Sequence, residues 1–199
     1  MSPNYLDTNG YRLLLASRSP RRREILESMR LPFEVVDLTV DESFDASLEG
    51  GKSVAEYLAR KKSEGYVGDL GDKDVLITSD TVVVHRGKII NKASDAQEAE
   101  EMILDLMNSR HEVVSAVCMR GPDRTSVFSE STTVIFGFLD REEIRWYVDR
   151  FKPFDKAGAY GIQEWIGYVG VEAIEGSYYN VMGFPTRSFY KELKKWISH

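Results

Sequence analysis

One cysteine and three widely spaced histidines are all the thiol and imidazole this chain contains. A lone Cys118 excludes an internal disulfide, and His85, His111 and His199 lack the spacing of a zinc site. Cys118 lies in the strand-like run Glu112–Met119 and reads as a small core residue. No apolar run approaches the ~20 residues needed to span a bilayer. Met1 to Gly10 is polar, without a signal peptide's apolar stretch, so an intracellular, reducing location is expected. Neither GxxxxGKS/T nor GxGxxG occurs, which removes the phosphate-loop and dinucleotide fingerprints. Positive charge is in deficit as well. The formal charge of −6 argues against bulk binding to nucleic acid or an anionic membrane, so any basic site must be local.

What is present reads as a soluble globular protein: 199 residues, 42% hydrophobic and 29% charged, enough for one sizeable core with a small appended lobe. Helix starts are expected at Ser19-Pro20, at the capping boxes Ser53–Glu56 and Ser94–Gln97, at Asp140 and at Pro185. Ala99, Met102, Ile103, Leu106 and Met107 form one buried stripe, and Phe189, Leu193, Trp196 and Ile197 another. Strands are expected at Phe33–Val36, Asp74–Thr78, Thr81–His85, Lys88–Ile90, Glu112–Met119 and Thr132–Phe138. A late pair, Tyr168–Ile174 and Tyr178–Met182, flanks Glu175-Gly176, and Arg86-Gly87 joins a hairpin. Helices and strands alternate unevenly. The expectation is a single domain over residues 1–199: a mixed, twisted α/β sheet with flanking helices, in which long hairpins form a second lobe across a cleft.

Four places stand out chemically. In Leu13–Leu26 an apolar run ends at a Ser-rich turn, and Arg21 and Arg22 fall in the first turn of the following helix. Cations there oppose the helix dipole by roughly 0.3–1 kcal/mol each, which makes sense if amides and guanidinium groups converge on an anion. A solvated basic helix start is the plainer alternative. Asp80 sits between two apolar runs, where a buried strand should surface or bend; it ends at a cleft, a cation or a metal, or else is a turn aspartate. Lys62 continues the Ala55, Leu58, Ala59 stripe, so its ammonium either snorkels to water or points into a pocket. Lys92 is a loop lysine, and Asp41-Glu42 an acidic loop of the kind usually just solvated. In Asp155–Gln163, small residues and two glycines frame an aromatic and a carboxamide, consistent with close backbone approach or with a tight surface loop.

Taken together, LASRSPRRREIL (Leu15–Leu26), Asp41-Glu42, Lys61-Lys62, Ser79–Thr81, DKAGAYGIQ (Asp155–Gln163) and Gly183–Pro185 closely resemble the Maf-type nucleoside triphosphate pyrophosphatases, also described as septum-formation inhibitors. The resemblance implies two lobes enclosing a central cleft, an architecture like that of inosine-triphosphate pyrophosphatases, and a cytoplasmic homodimer. It also implies hydrolysis of a nucleoside triphosphate to monophosphate and pyrophosphate, as house-cleaning of nucleotide pools with a link to arrest of cell division. Asp80 falls on the catalytic position and Glu42 on that of its metal partner, the two holding Mg²⁺ or Mn²⁺. Ser17, Arg22, Lys62 and Lys92 fall on phosphate-contacting positions. Arg21, Thr81 and Gln163 fall on positions that separate subgroups, and Arg–Thr–Gln resembles the branch acting on dTTP and UTP. The branch acting on 7-methyl-GTP tends to carry Trp, Gln and Glu there. This chain has Ala93 where the family usually has proline after the lysine, and Thr78 where a glycine often stands. Two rival readings are a non-catalytic, nucleotide-sensing regulator of septation and a purine pyrophosphatase of the ITP/XTP type.

Overall fold

A computed structural model describes residues 6–45 and 48–198, so His199 and the first five residues of the polar N-terminal stretch lie outside the described residues. Apolar runs of Leu, Ile and Val with β-branched enrichment give seven strands in one sheet among the described residues. These are β1 (Arg12–Leu15), β2 (Phe33–Val35), β3 (Asp74–His85), β4 (Lys88–Ile90), β5 (Arg110–Arg120), β6 (Thr125–Phe136) and β7 (Val171–Glu175). Their order is β2-β1-β3-β5-β6-β7, with β4 also on β3. β1 is parallel to both β2 and β3, and the other pairings are antiparallel, so the sheet is mixed as expected.

The expected break at Ser79-Asp80 does not occur. β3 runs unbroken, paired to β5 from Leu76 to Val84. Instead, its other edge changes neighbour. β1 pairs with Asp74–Ile77 and β4 with Val83–His85, leaving residues 78–82 paired only on the β5 side. The sheet opens there, and Asp80 stands in the opening without bending its own strand.

Among the described residues, seven α-helices flank the sheet: α1 (Pro20–Ser28), α2 (Gly51–Glu64), α3 (Ala96–Leu106), α4 (Arg141–Phe151), α5 (Trp165–Gly170), α6 (Tyr178–Val181) and α7 (Thr186–Ile197). α1 and α7 pack Ile25, Leu26, Phe189, Leu193 and Trp196 against Leu13, Leu15, Val75, Ile77, Val117 and Met119. α2 lays Val54, Ala55, Leu58 and Ala59 on Val82, Val114, Ala116 and Cys118. A second lobe gathers α3 and α4 around Phe136, Tyr160 and Ile162. The long hairpin β5–β6 serves both lobes, rather than forming the second by itself. No described helix is long and apolar enough to cross a membrane.

Several local expectations are corrected. Ser19 is the N-cap of α1, but its side chain makes no capping bond; the Ser17 hydroxyl accepts the Ser19 N–H at 3.3 Å. α2 begins at Gly51, two residues before the expected Ser53 box, because Gly50 turns the chain at φ 79°. Asp95, not Ser94, caps α3 by accepting from the Glu98 N–H. Asp140 and Glu143 do make a full capping box. Of the expected strand pair Tyr168–Ile174 and Tyr178–Met182, Tyr168–Gly170 ends the short helix α5 and Tyr178–Val181 is the helix α6, and only Val171–Glu175 pairs with the sheet. There tertiary packing overrides the β-propensity of Tyr and Val: a Cβ at Gly167 would lie 1.8 Å from the Ile162 carbonyl oxygen, so this turn closes tightly on its own loop.

Candidate active site

The opening beside β3 is the floor of a cavity of about 560 Å³. Arg18, Arg21, Arg22, Lys62, Lys92 and Lys156 line it, against the carboxylates of Glu42, Asp80 and Asp155. A chain of net charge −6 thus gathers local positive charge at one concave surface. Every site residue singled out in the sequence, including Ser17, Thr81 and Gln163, lines this cavity.

Asp80 reaches the cavity from β3 at 7% exposure. Lys62, which leaves α2 on the side packed against β3, resolves the alternatives of snorkelling or pocket in favour of the pocket. Its Nζ lies 2.5 Å from Asp80 Oδ1 and 2.9 Å from Glu42 Oε1. Glu42 in turn accepts from Lys92 Nζ at 2.7 Å. Burial alone would raise the Glu42 carboxyl, but the hydrogen bonds from Lys92 and Lys62 outweigh it and hold the group at about 2. The acidic loop is therefore not merely solvated. Thr78, where a glycine was noted as usual, donates to the Ala59 carbonyl at 2.7 Å and so fastens α2 to β3. Lys92 forms an isolated bridge with Ala157, and Ala93 is buried in the second lobe, which ties down the loop that lacks the usual proline.

On the opposite wall, Arg22 donates from Nε to the Gly183 carbonyl at 2.9 Å, from Nη2 to Thr81 Oγ1 at 3.2 Å and from Nη1 to Ser17 Oγ at 3.4 Å. Burial pushes its guanidinium pKa down; Asp80 and Glu42 work against this and Arg21 adds to it. Arg21 turns the other way, to Asp155 Oδ2 at 3.1 Å. Gln163 lines the cavity, and its carboxamide oxygen is buried and has no hydrogen-bond partner among the described residues.

Residues 12–196 match the family model described as Maf-like protein. The chain belongs to the Maf-like protein family. The dTTP/UTP pyrophosphatase of Bacteroides fragilis (strain ATCC 25285) is 44% identical over 186 residues, covering 93% of this chain and 96% of that protein. The dTTP/UTP pyrophosphatase of Parabacteroides distasonis is 45% identical over 185 residues, covering 92% and 95%. Among solved structures, a HAM1 protein from Coxiella burnetii overlaps 63% of this chain and 73% of its own at a TM-score of 0.39 and 12% identity.

Two supporting groups of this Maf-like site escaped the sequence reading. Thr81 Oγ1 lies 2.8 Å from Ser115 Oγ, which donates to the Asn180 carbonyl at 2.8 Å. Asn180 is fully buried, and its amide donates to Val113 O and Thr132 Oγ1. The only sequence signal was a serine interrupting the apolar run of β5. Lys156 stood inside a quoted motif, yet nothing in its spacing announced that it would be 8% exposed.

The site also bears on a divalent cation. Among the described residues no group of three or more His, Cys, Asp or Glu is arranged to hold a metal. Glu42 and Asp80 nevertheless already converge on one positive centre, the Lys62 ammonium. Two hard carboxylates, with phosphate oxygens and water completing the shell, are the donor set Mg²⁺ uses beside nucleotides.

Proposed function

We propose that this protein hydrolyses dTTP and UTP to the monophosphate and pyrophosphate. The observation that carries this reading is the convergence of Arg22, Lys62, Lys92, Glu42 and Asp80, distant in the chain, on one cavity large enough for a small ligand. The names of the relatives at 42–45% identity support the substrate class.

In this reading Arg22, Lys62 and Lys92 bind the triphosphate through charge-assisted hydrogen bonds, each worth about 1.5–3 kcal/mol. Lys62 and Lys92 release their carboxylate partners as phosphate oxygens replace them. Asp80 orients a water in line with the α-phosphorus and accepts its proton. The new bond joins water oxygen to that phosphorus, the bond to the bridging oxygen breaks, and pyrophosphate leaves. Mg²⁺ or Mn²⁺ held by Glu42 and Asp80 would supply further neutralisation of phosphate charge. Gln163 presents one acceptor and one donor to the edge of uracil or thymine. The protein acts as a cytoplasmic homodimer and needs neither nucleic acid nor membrane.

The test is product identification after incubating purified protein and Mg²⁺ with a nucleotide panel. Pyrophosphate from UTP and dTTP is the expected result. Pyrophosphate mainly from ITP would transfer the protein to the purine class, and tight binding without products would make it a sensor.

A further inference from the structure

Gln163 rides on a turn whose two ends are held from outside the loop. The Glu164 N–H bonds the Gly161 carbonyl at 2.9 Å, so Gly161 to Glu164 closes a turn with Gln163 at its third position. Tyr147, fully buried on α4, accepts the Gly161 N–H at 3.0 Å and donates its hydroxyl to Glu164 Oε2. Glu164 Oε1 meets Lys156 Nζ at 3.1 Å, and the same ammonium lies 2.8 Å from Asp155 Oδ1. Asp155 is also the carboxylate that takes Arg21. The glycine is required by this arrangement, because a Cβ at Gly161 would stand 2.7 Å from the Glu164 carboxyl carbon.

Tyr147 therefore grips both ends of the turn and Lys156 the Glu164 end, and the lysine also links it through Asp155 to Arg21. A surface loop would need none of this. The network is buried at Tyr147 and Lys156 and reaches solvent at Asp155, and its bonds remove alternative conformations from the turn they hold. The turn it holds carries Gln163, whose amide oxygen is buried and unpaired in a residue that lines the cavity. We propose that Lys156, acting through Glu164 and with Tyr147, is a positioning residue for Gln163, and so sets discrimination among nucleobases through the turn rather than through a contact of its own with the base. The inference rests on the pyrimidine nucleotide reading above.

The test compares the wild-type chain with Lys156→Met, Lys156→Arg, Tyr147→Phe and the double variant Lys156→Met/Glu164→Gln, which leaves no unpaired buried carboxylate if the single change does not fold. Steady-state pyrophosphate release and calorimetric affinity are measured for UTP, dTTP, CTP and GTP, with a thermal melt for each variant. Loosening the turn is expected to raise KM and Kd for UTP and dTTP about tenfold and to narrow their margin over CTP and GTP, with kcat changed less than about threefold. Lys156→Arg is expected to recover most of the margin. An unchanged margin in a folded variant overturns the proposal. So does a uniform loss of kcat for every nucleotide, which would mark a merely structural lysine. If wild type binds UTP and dTTP selectively but releases no pyrophosphate, the hydrolytic reading fails while the calorimetry still decides the role of Lys156. If wild type prefers no nucleotide, both fall.

Discussion

At the scale of single residues, two side chains divide the proposed chemistry. Asp80 keeps its strand geometry, and two links join β3 to α2 there, Thr78 to the Ala59 carbonyl and Asp80 itself to Lys62. Asp80→Asn preserves shape and removes the acceptor of a proton. Turnover is expected to drop by about 10²–10⁴-fold with an unchanged circular-dichroism spectrum; near-normal pyrophosphate release would take Asp80 out of the mechanism. Gln163→Glu replaces a donor with a second acceptor. It is expected to raise KM for UTP and dTTP about tenfold or more, and equal relative rates across a nucleotide panel would refute base contact by the amide. Asp80 stood out in the sequence as a carboxylate between two apolar runs, and Gln163 through its place in the long motif Asp155–Gln163. Their partners did not: Lys62 and Asp80 are 18 residues apart, Lys92 and Glu42 are 50 apart, and no local pattern matches an ammonium to a carboxylate over such distances.

Among the elements, the packing of α2 on β3 and β5 carries the most consequence, since it sets the reach of Lys62 to Asp80. The helix lies close because its first residue is glycine. A Cβ at Gly51 would stand 2.7 Å from Val84 Cγ2 and 3.0 Å from Val114 Cγ2. Gly51→Ala is expected to cost about 1–3 kcal/mol in urea denaturation, with turnover reduced because Lys62 shifts with its helix. A variant as stable as wild type would mean that the helix has slack. The elements themselves were unevenly readable. The apolar stripes of α3 and α7 and the helix start at Asp140 were visible in the spacing and residue types, which are local properties. The unbroken course of β3 was not, because Ser79-Asp80 looks like punctuation until the neighbouring strands are seen to part there. Likewise Ser177 caps a helical turn at Asn180 in a stretch whose tyrosines and valines favour strand, and the buried Asn180 amide decides it.

Across the whole molecule, pH is expected to act on stability through the core of the second lobe as well as through the cleft. His111 is 3% exposed, stacked on Phe136, with Nε2 2.7 Å from the Tyr160 hydroxyl. Burial holds its pKa down at about 4, well below the ordinary 6.5, with His85 contributing. The unfolded chain therefore takes up a proton before the folded chain does. Stability is complete above pH 6.5, falls as the pH drops from 6.5 to about 4, and levels off below, a loss of roughly 3 kcal/mol in all. His111→Gln is expected to flatten this part of the stability curve in urea titrations between pH 7.5 and 4; an equal slope in both proteins would absolve His111. The Glu42 carboxylate, held at about 2, stays ionised throughout that range. By itself the chain of residues determined which segments are apolar on one face, where Pro20 and Asp140 begin helices, and which motifs mark the family, since each depends on near neighbours along the backbone. Only the tertiary structure decided that one edge of β3 would open, that Lys62 would sit between two carboxylates and that Lys156 would be enclosed by Asp155 and Glu164. Those outcomes come from strands and helices meeting across many tens of residues, where burial and charge pairing, rather than local preference, select the arrangement.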